Sequence, residues 1–138
     1  MLTNLLTGVK TMTDGPGITR LGQIQIRTHD VERAAEFYEK VLGLKLLFKA
    51  PPGLAFFDGG GVRLMLDRPE KPEFDHASSI LYFAVPDIKA AHAGMKAKNV
   101  RFEDEPHMIA RMADHDLWMT FFRDTEDNLL ALMSEVKH

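Results

Sequence analysis

Residues 22–48, GQIQIRTHDVERAAEFYEKVLGLKLLF, are echoed by residues 79–102, SILYFAVPDIKAAHAGMKAKNVRF. Each copy opens with alternating apolar residues, Ile24/Ile26 and Leu81/Phe83, which is the period of a half-buried strand. Each then reaches an aspartate, Asp30 or Asp87, placed to accept from the free N–H groups at the start of a helix. The first predicted helix repeats apolar residues at Val31, Ala34, Ala35, Tyr38, Val41 and Leu42, a 3.6-residue period. The second puts Ile88, Ala91 and Met95 on one face. Gly43 and Asn99 follow as residues able to take the left-handed conformation that ends a helix.

The repeat runs further. Phe56-Phe57-Asp58, a glycine-rich turn and Arg63-Leu64-Met65-Leu66 match Phe121-Phe122-Arg123, an acidic turn and Leu129-Leu130-Ala131-Leu132. Both pairs carry hairpin signals, with Gly, Asp or Asn at the bend. Each half is therefore β-α-β-β-β, and the fold class is α+β. The modules span about residues 20–67 and 79–135, joined by a linker at 68–78 rich in proline and charge. Five features matching in order make chance similarity of the halves a poor explanation. Residues 1–18 precede the first module as an N-terminal arm, in which Met12 is a second candidate start. The arm contains no apolar run long enough for a signal peptide or a membrane span.

Composition narrows the function. A chain of 138 residues fits one domain in two halves. A net charge of -3 gives no electrostatic case for nucleic acid, and no segment predicts a membrane partner. Cysteine is absent, which excludes disulfides, thiolate metal sites and a cysteine nucleophile, and fits a reducing cytoplasm. Asp58-Gly59-Gly60-Gly61 lacks the lysine and the strand–loop–helix setting of a phosphate loop, so it is a hairpin turn.

Three stretches carry a family resemblance: Gln23-Ile-Gln-Ile, Asp30-Val-Glu-Arg-Ala-Ala-Glu-Phe-Tyr-Glu-Lys-Val-Leu-Gly-Leu, and Asp124-Thr-Glu-Asp-Asn-Leu-Leu-Ala-Leu. In these, over about residues 19–135, the chain resembles the vicinal oxygen chelate superfamily of glyoxalase I, bleomycin-resistance proteins and extradiol dioxygenases. The resemblance implies two cup-shaped half-barrels with helices packed outside. In metal-dependent members it also implies four ligand positions inside the cup, which fall here on Gln23, Met65, Ile80 and Ala131. Only Gln23 offers an oxygen. Met65 is a soft, weak donor, and Ile80 and Ala131 donate nothing, whereas zinc, nickel or iron sites need three or more ligands. The expectation is that the inherited metal site is lost and no cofactor is bound.

Strand alternation predicts the remaining cup lining. Gln23, Gln25 and Arg27 face in, because Ile24 and Ile26 belong under the helix; Arg63 and Asp67 accompany Met65; Tyr82 and Ala84 accompany Ile80. Symmetric hairpin pairing would add Ala55 and Phe57, and Trp118, Thr120 and Phe122. A one-residue slip would exchange those last sets for their neighbours. The expected ligand site is Gln23, Gln25, Phe57, Arg63, Met65, Ile80, Tyr82, Trp118, Phe122 and Ala131, an apolar and aromatic pocket with a few amides and guanidiniums.

Two functional readings stay open. One is a metal-free, bleomycin-resistance-like protein that binds a small aromatic or amphipathic molecule. The other is a glyoxalase-like lyase or isomerase, either with a metal site rebuilt from His107 or His115 and Glu103 or Glu105, or with His107 as a metal-independent acid–base. With only two modules per chain, the resemblance also implies a homodimer, the commonest symmetric assembly.

Overall fold

The computed structural model describes residues 15–138. Most of the predicted N-terminal arm, residues 1–14, lies outside the described residues, and residues 15–18 are exposed and without regular structure. The first module runs β1 (Gln23–Arg27), α1 (Val31–Glu36), β2 (Leu46–Ala50), β3 (Leu54–Asp58) and β4 (Arg63–Asp67). A turn of π-helix, Phe37–Val41, extends α1. The second module runs β5 (Leu81–Ala84), α2 (Ile88–Ala97), β6 (Arg101–Phe102), β7 (His107–Arg111), β8 (His115–Arg123) and β9 (Leu129–Lys137). Its second strand is broken in two, and both pieces, β6 and β7, pair with β8. The sheets are ordered β1-β4-β3-β2 and β5-β9-β8-β6, so each module pairs its first strand in parallel with its last. The duplicated βαβββ architecture is present.

The helix ends follow the sequence logic. Asp30 accepts from the N–H of Arg33, and Asp87 from that of Ala90, each at 3.1 Å. Gly43 and Asn99 end their helices with φ of 75° and 66°. Removing the Asp87 carboxylate leaves a helix N–H unpaired, so Asp87→Ala is expected to cost about 1 kcal/mol. A urea midpoint that does not move would refute that role.

One face of each sheet and the inner faces of α1 and α2 share a continuous core that includes Ile26, Tyr38, Phe57, Leu64, Ile88, Met95, Phe122 and Leu130. The α2 face departs from expectation. Ile88 and Met95 are buried as predicted, but so is His92, against the Phe102 ring at 4.2 Å. Its Nε2 has no hydrogen-bond partner and lies 4.0 Å from a Glu105 carboxylate oxygen. Among the described residues no helix is long and apolar enough to cross a membrane.

The two modules are tied at one end of their seam. Asp124, buried in the β8–β9 turn, accepts from the Tyr38 hydroxyl at 2.6 Å, from the Glu126 and Asn128 N–H groups, and from the Asn128 amide. Burial first, and then the Asp124 charge, push the Tyr38 phenol well above its ordinary pKa, so it stays a donor. Glu126 accepts from the N–H groups of His29 and Asp30 at 2.8 and 3.0 Å, just ahead of α1. Arg33 donates to the Thr125 carbonyl.

Candidate functional site

The faces of the sheets away from the helices form the cup. Facing residues on neighbouring strands share a side, so register decides which side chains enter it. In the first module Gln25 lies beside Met65, and Met65 beside Phe56. The cup face is therefore Gln23, Gln25 and Arg27 on β1, Arg63, Met65 and Asp67 on β4, and Phe56 on β3, with Phe48 of β2 stacked on Phe56 at 4.5 Å. In the second module Tyr82 lies beside Ala131, and Ala131 beside Phe121. That cup face holds Tyr82, Ala131, Met133, Met119 and Phe121.

The symmetric hairpin register is corrected at every position it assigned. Ala55 and Phe57 lie on the helix side, where Phe57 meets Tyr38 at 6.0 Å between ring centroids. Trp118, Thr120 and Phe122 are also on the helix side. Phe122 is buried in the core, Trp118 packs against it under the Lys89 ammonium, and Thr120 donates to Asp104. The turns are responsible. Asp58 closes on Arg63 across residues 59–62, and Arg123 closes on Leu129 across residues 124–128, so each hairpin sits one residue off the assumed pairing. Phe48, Phe56 and Phe121 take the cup positions instead.

Gln23 and Arg63 form one unit. The Arg63 Nε donates to the Gln23 side-chain oxygen Oε1 at 3.2 Å, and the Gln23 Nε2 lies 3.5 Å from the Met65 sulfur. The Arg63 guanidinium sits 5.2 Å from the Phe56 ring centroid and 6.0 Å from that of Phe48, a cation held over aromatic faces. The inherited metal positions therefore do not fit a metal. The one oxygen donor among them already faces a guanidinium, and a divalent cation would meet that positive charge. Ala131 is fully buried between Tyr82 and Phe121, whose rings pack edge to face at 5.8 Å. The two rings close over its methyl group and leave no opening there. Ile80 is exposed at the start of β5.

A polar cavity of about 540 Å³ adjoins the first-module cup, lined by Gln25, Arg27, Met65, Asp67, Phe74 and His76 among others. The linker forms its outer wall. Asp75 Oδ1 accepts from Arg27 Nε at 2.6 Å and from His29 Nε2 at 2.9 Å, which fastens the linker to the end of β1. These bonds, from Arg27 first, hold the Asp75 carboxyl below its ordinary pKa, whereas desolvation raises that of Asp67.

The histidines do not converge. His107 Nδ1 is 2.8 Å from the Glu105 carbonyl, and His115 Nδ1 is 2.7 Å from Asp114. Glu103 accepts from Arg123, and Glu105 from Lys96. Among the described residues no group of three or more His, Cys, Asp or Glu side chains is placed to hold a metal ion. Sequence reasoning missed Phe48, Phe56 and Phe121, and also the linker wall with Asp75. The paired phenylalanines were the available signal, although alternation alone cannot say which of two adjacent rings enters the cup.

Comparison with known proteins agrees with this architecture. Residues 20–132 match the model of the Glyoxalase/Bleomycin resistance protein/Dioxygenase superfamily. A solved member of that superfamily from Sphaerobacter thermophilus is similar, with a TM-score of 0.72 at 21% identity, covering 86% of this chain and 98% of its own. TnmS3, an antibiotic binding protein from Streptomyces sp. CB03234, is similar with a TM-score of 0.69 at 18% identity, over 86% of this chain and 98% of its own. Lactoylglutathione lyase from Agrobacterium tumefaciens is similar with a TM-score of 0.67 at 20% identity, over 85% of this chain and 94% of its own. At these identities the structural likenesses speak for the fold alone.

Proposed function

Because the chain belongs to the Glyoxalase/Bleomycin resistance protein/Dioxygenase superfamily, we propose that it is a binding protein of that superfamily, holding a small aromatic or amphipathic organic molecule in its cup without a metal. The observation that carries this is the chemistry at the inherited ligand positions. Gln23 is engaged by Arg63, Met65 is a thioether, and Ile80 and Ala131 have no donor atoms. What remains suits planar ligands: stacked Phe48 and Phe56 under a guanidinium, and Tyr82 set against Phe121. Arg63 is placed to pair with a carboxylate on the ligand, and Gln25 to bond a polar edge. One similar fold belongs to an antibiotic binding protein, so a small organic ligand lies within what this fold can hold. In this reading the protein works in a reducing cytoplasm as a homodimer whose partner covers the exposed Phe48, Ile80 and Tyr82 of the cup face.

The test combines elemental analysis of the purified protein with a thermal-shift screen of planar organic acids and amides. The expected result is no stoichiometric divalent metal, together with at least one hit. Phe56→Ala should weaken that hit by roughly tenfold, since an aromatic pair contributes about 0.5–1.5 kcal/mol beyond the area it buries. Trp118→Phe should leave the affinity unchanged, because the indole lies on the helix side. About one metal per chain, or turnover of a hemithioacetal that is lost with His107→Ala, would favour a lyase or isomerase instead. Sedimentation of a single 15.6 kDa species at micromolar concentration would remove the dimer.

A further inference from the structure

The repeat gives the seam between the modules two equivalent ends, and they are finished differently. At the closed end Tyr38 donates to Asp124, and Phe37 packs edge to face on Tyr38 with ring centroids 5.8 Å apart. The outer edge of β1 is satisfied there. The Arg27 N–H donates to Ser78 Oγ at 2.8 Å, and the Arg27 carbonyl accepts from the Asn128 side-chain amide at 2.9 Å.

Counted from the capping aspartates, Gly94 stands at the other end in the place of Phe37, Met95 in that of Tyr38, and Ala84 in that of Arg27. Counted from the paired phenylalanines, Gly59 replaces Asp124. Met95 is buried in the core and Val62 crowds the Gly59 position, so it is the place of Phe37 that stands open, at Gly94. A cavity of about 680 Å³ lies there, with Val41, Leu42, Phe83, Ala84, Met95 and Leu132 in its wall. The Val85 N–H bonds the Met133 carbonyl of β9. Alternate residues of a strand point their backbone groups to opposite edges, so those of Ala84 point away from β9 and into the cavity. Among the described residues neither has a hydrogen-bond partner there. The charged groups at the rim are already engaged. Lys98 Nζ donates to the Lys40 carbonyl, and Asp58 accepts from the Gly60 N–H. A Cβ at Gly94 would meet nothing within 4 Å, so packing does not demand glycine inside this helix, where alanine would be the more stable choice.

We propose that this open end of the seam, which Tyr82 also borders, is a second small-molecule site, apart from the first-module cup, for an uncharged aryl amide. Its ring takes the place that Phe37 fills at the closed end. Its carboxamide donates to the Ala84 carbonyl, as the Asn128 amide does to that of Arg27, and accepts from the Ala84 N–H, as Ser78 Oγ does from that of Arg27.

The test uses 4-hydroxyphenylacetamide as the probe, titrated to about 10 mM against the full-length ¹⁵N-labelled protein. The amide resonances of Ala84, Val85 and Gly94 should shift and saturate, while those of Gln25, Phe56 and Met65 in the cup stay in place. Gly94→Phe, which rebuilds the closed end, should weaken the probe about tenfold or more. Should that variant not fold, 4-ethylphenol on the unaltered protein serves in its place. Lacking the carboxamide, it should bind about tenfold more weakly than the probe. Shifts confined to the cup, no shift at all, equal binding by Gly94→Phe or equal binding of 4-ethylphenol each overturn the proposal. A fall in sedimentation coefficient on Gly94→Phe, with no probe binding to the unaltered protein, also overturns it by assigning the cavity to a second copy.

Discussion

Asp124→Ala is expected to cost about 3–5 kcal/mol, because it leaves a buried set of donors without their acceptor. The Asp124 carboxylate serves four of them, the Tyr38 hydroxyl, the N–H groups of Glu126 and Asn128, and the Asn128 side-chain amide. Three of these bonds are buried, and their donors cannot turn to water without opening the seam. Tyr38→Phe removes one of the four and should cost less, on the order of 1–3 kcal/mol. In a double-mutant cycle the pair should fall short of additivity, since both act on one hydrogen bond. Urea denaturation reads all three variants. An Asp124→Ala protein within about 1 kcal/mol of wild type would mean that the turn, not its carboxylate, joins the modules.

Ala131→Glu is expected to fail as a restoration of metal binding and to destabilise by about 3–5 kcal/mol. The superfamily resemblance places a ligand at this position, which makes the substitution the natural repair. In this chain the Ala131 methyl is fully buried between the Tyr82 and Phe121 strands. A carboxylate there loses its hydration and gains no cation, because Arg63 belongs to the other module and is held by Gln23 and the two phenylalanines. Added zinc should not recover the loss, since the introduced carboxylate and the Gln23 amide together fall short of the ligand set that zinc requires. Denaturation with and without zinc is the measurement. A near-wild-type midpoint with close to full zinc occupancy would show that the cup is still a metal site.

The legible part of this fold was the part written in periodicity and caps. Asp30 and Asp87, Gly43 and Asn99, and the alternation of Ile24 and Ile26 each have a local physical cause, and each sits where that cause predicts. The β1 and β4 faces followed because Ile24, Ile26, Leu64 and Leu66 could only face the helices. The hairpin strands were illegible for an equally local reason. Phe56-Phe57 and Phe121-Phe122 are adjacent and identical, so the sequence is neutral on which ring faces the helices. Turn length breaks the tie, and it depends on hydrogen bonds inside the turn, from Gly59 N–H to the Val62 carbonyl and from Asn128 N–H to Asp124. His92 escaped notice because a histidine on a helix was counted as polar, while its ring packs on Phe102 as an aromatic would. The linker wall depends on a contact between Arg27 and Asp75, distant in sequence, and no local pattern records such a contact.

The two hairpin turns also determine where this gene tolerates insertions and deletions. In the glycine turn the Gly59 N–H to Val62 carbonyl bond sets the pairing of Asp58 with Arg63, so a codon gained or lost there would slide β3 against β4 and exchange Phe56 with Phe57. Within β9 the constraint is the same. Losing one codon between Leu129 and Ser134 would turn part of the strand over, sending Leu130 or Leu132 toward solvent and Ala131 or Met133 into the core. Length variation in descendants of this chain should therefore gather in the linker, and stay out of the glycine turn and of β9.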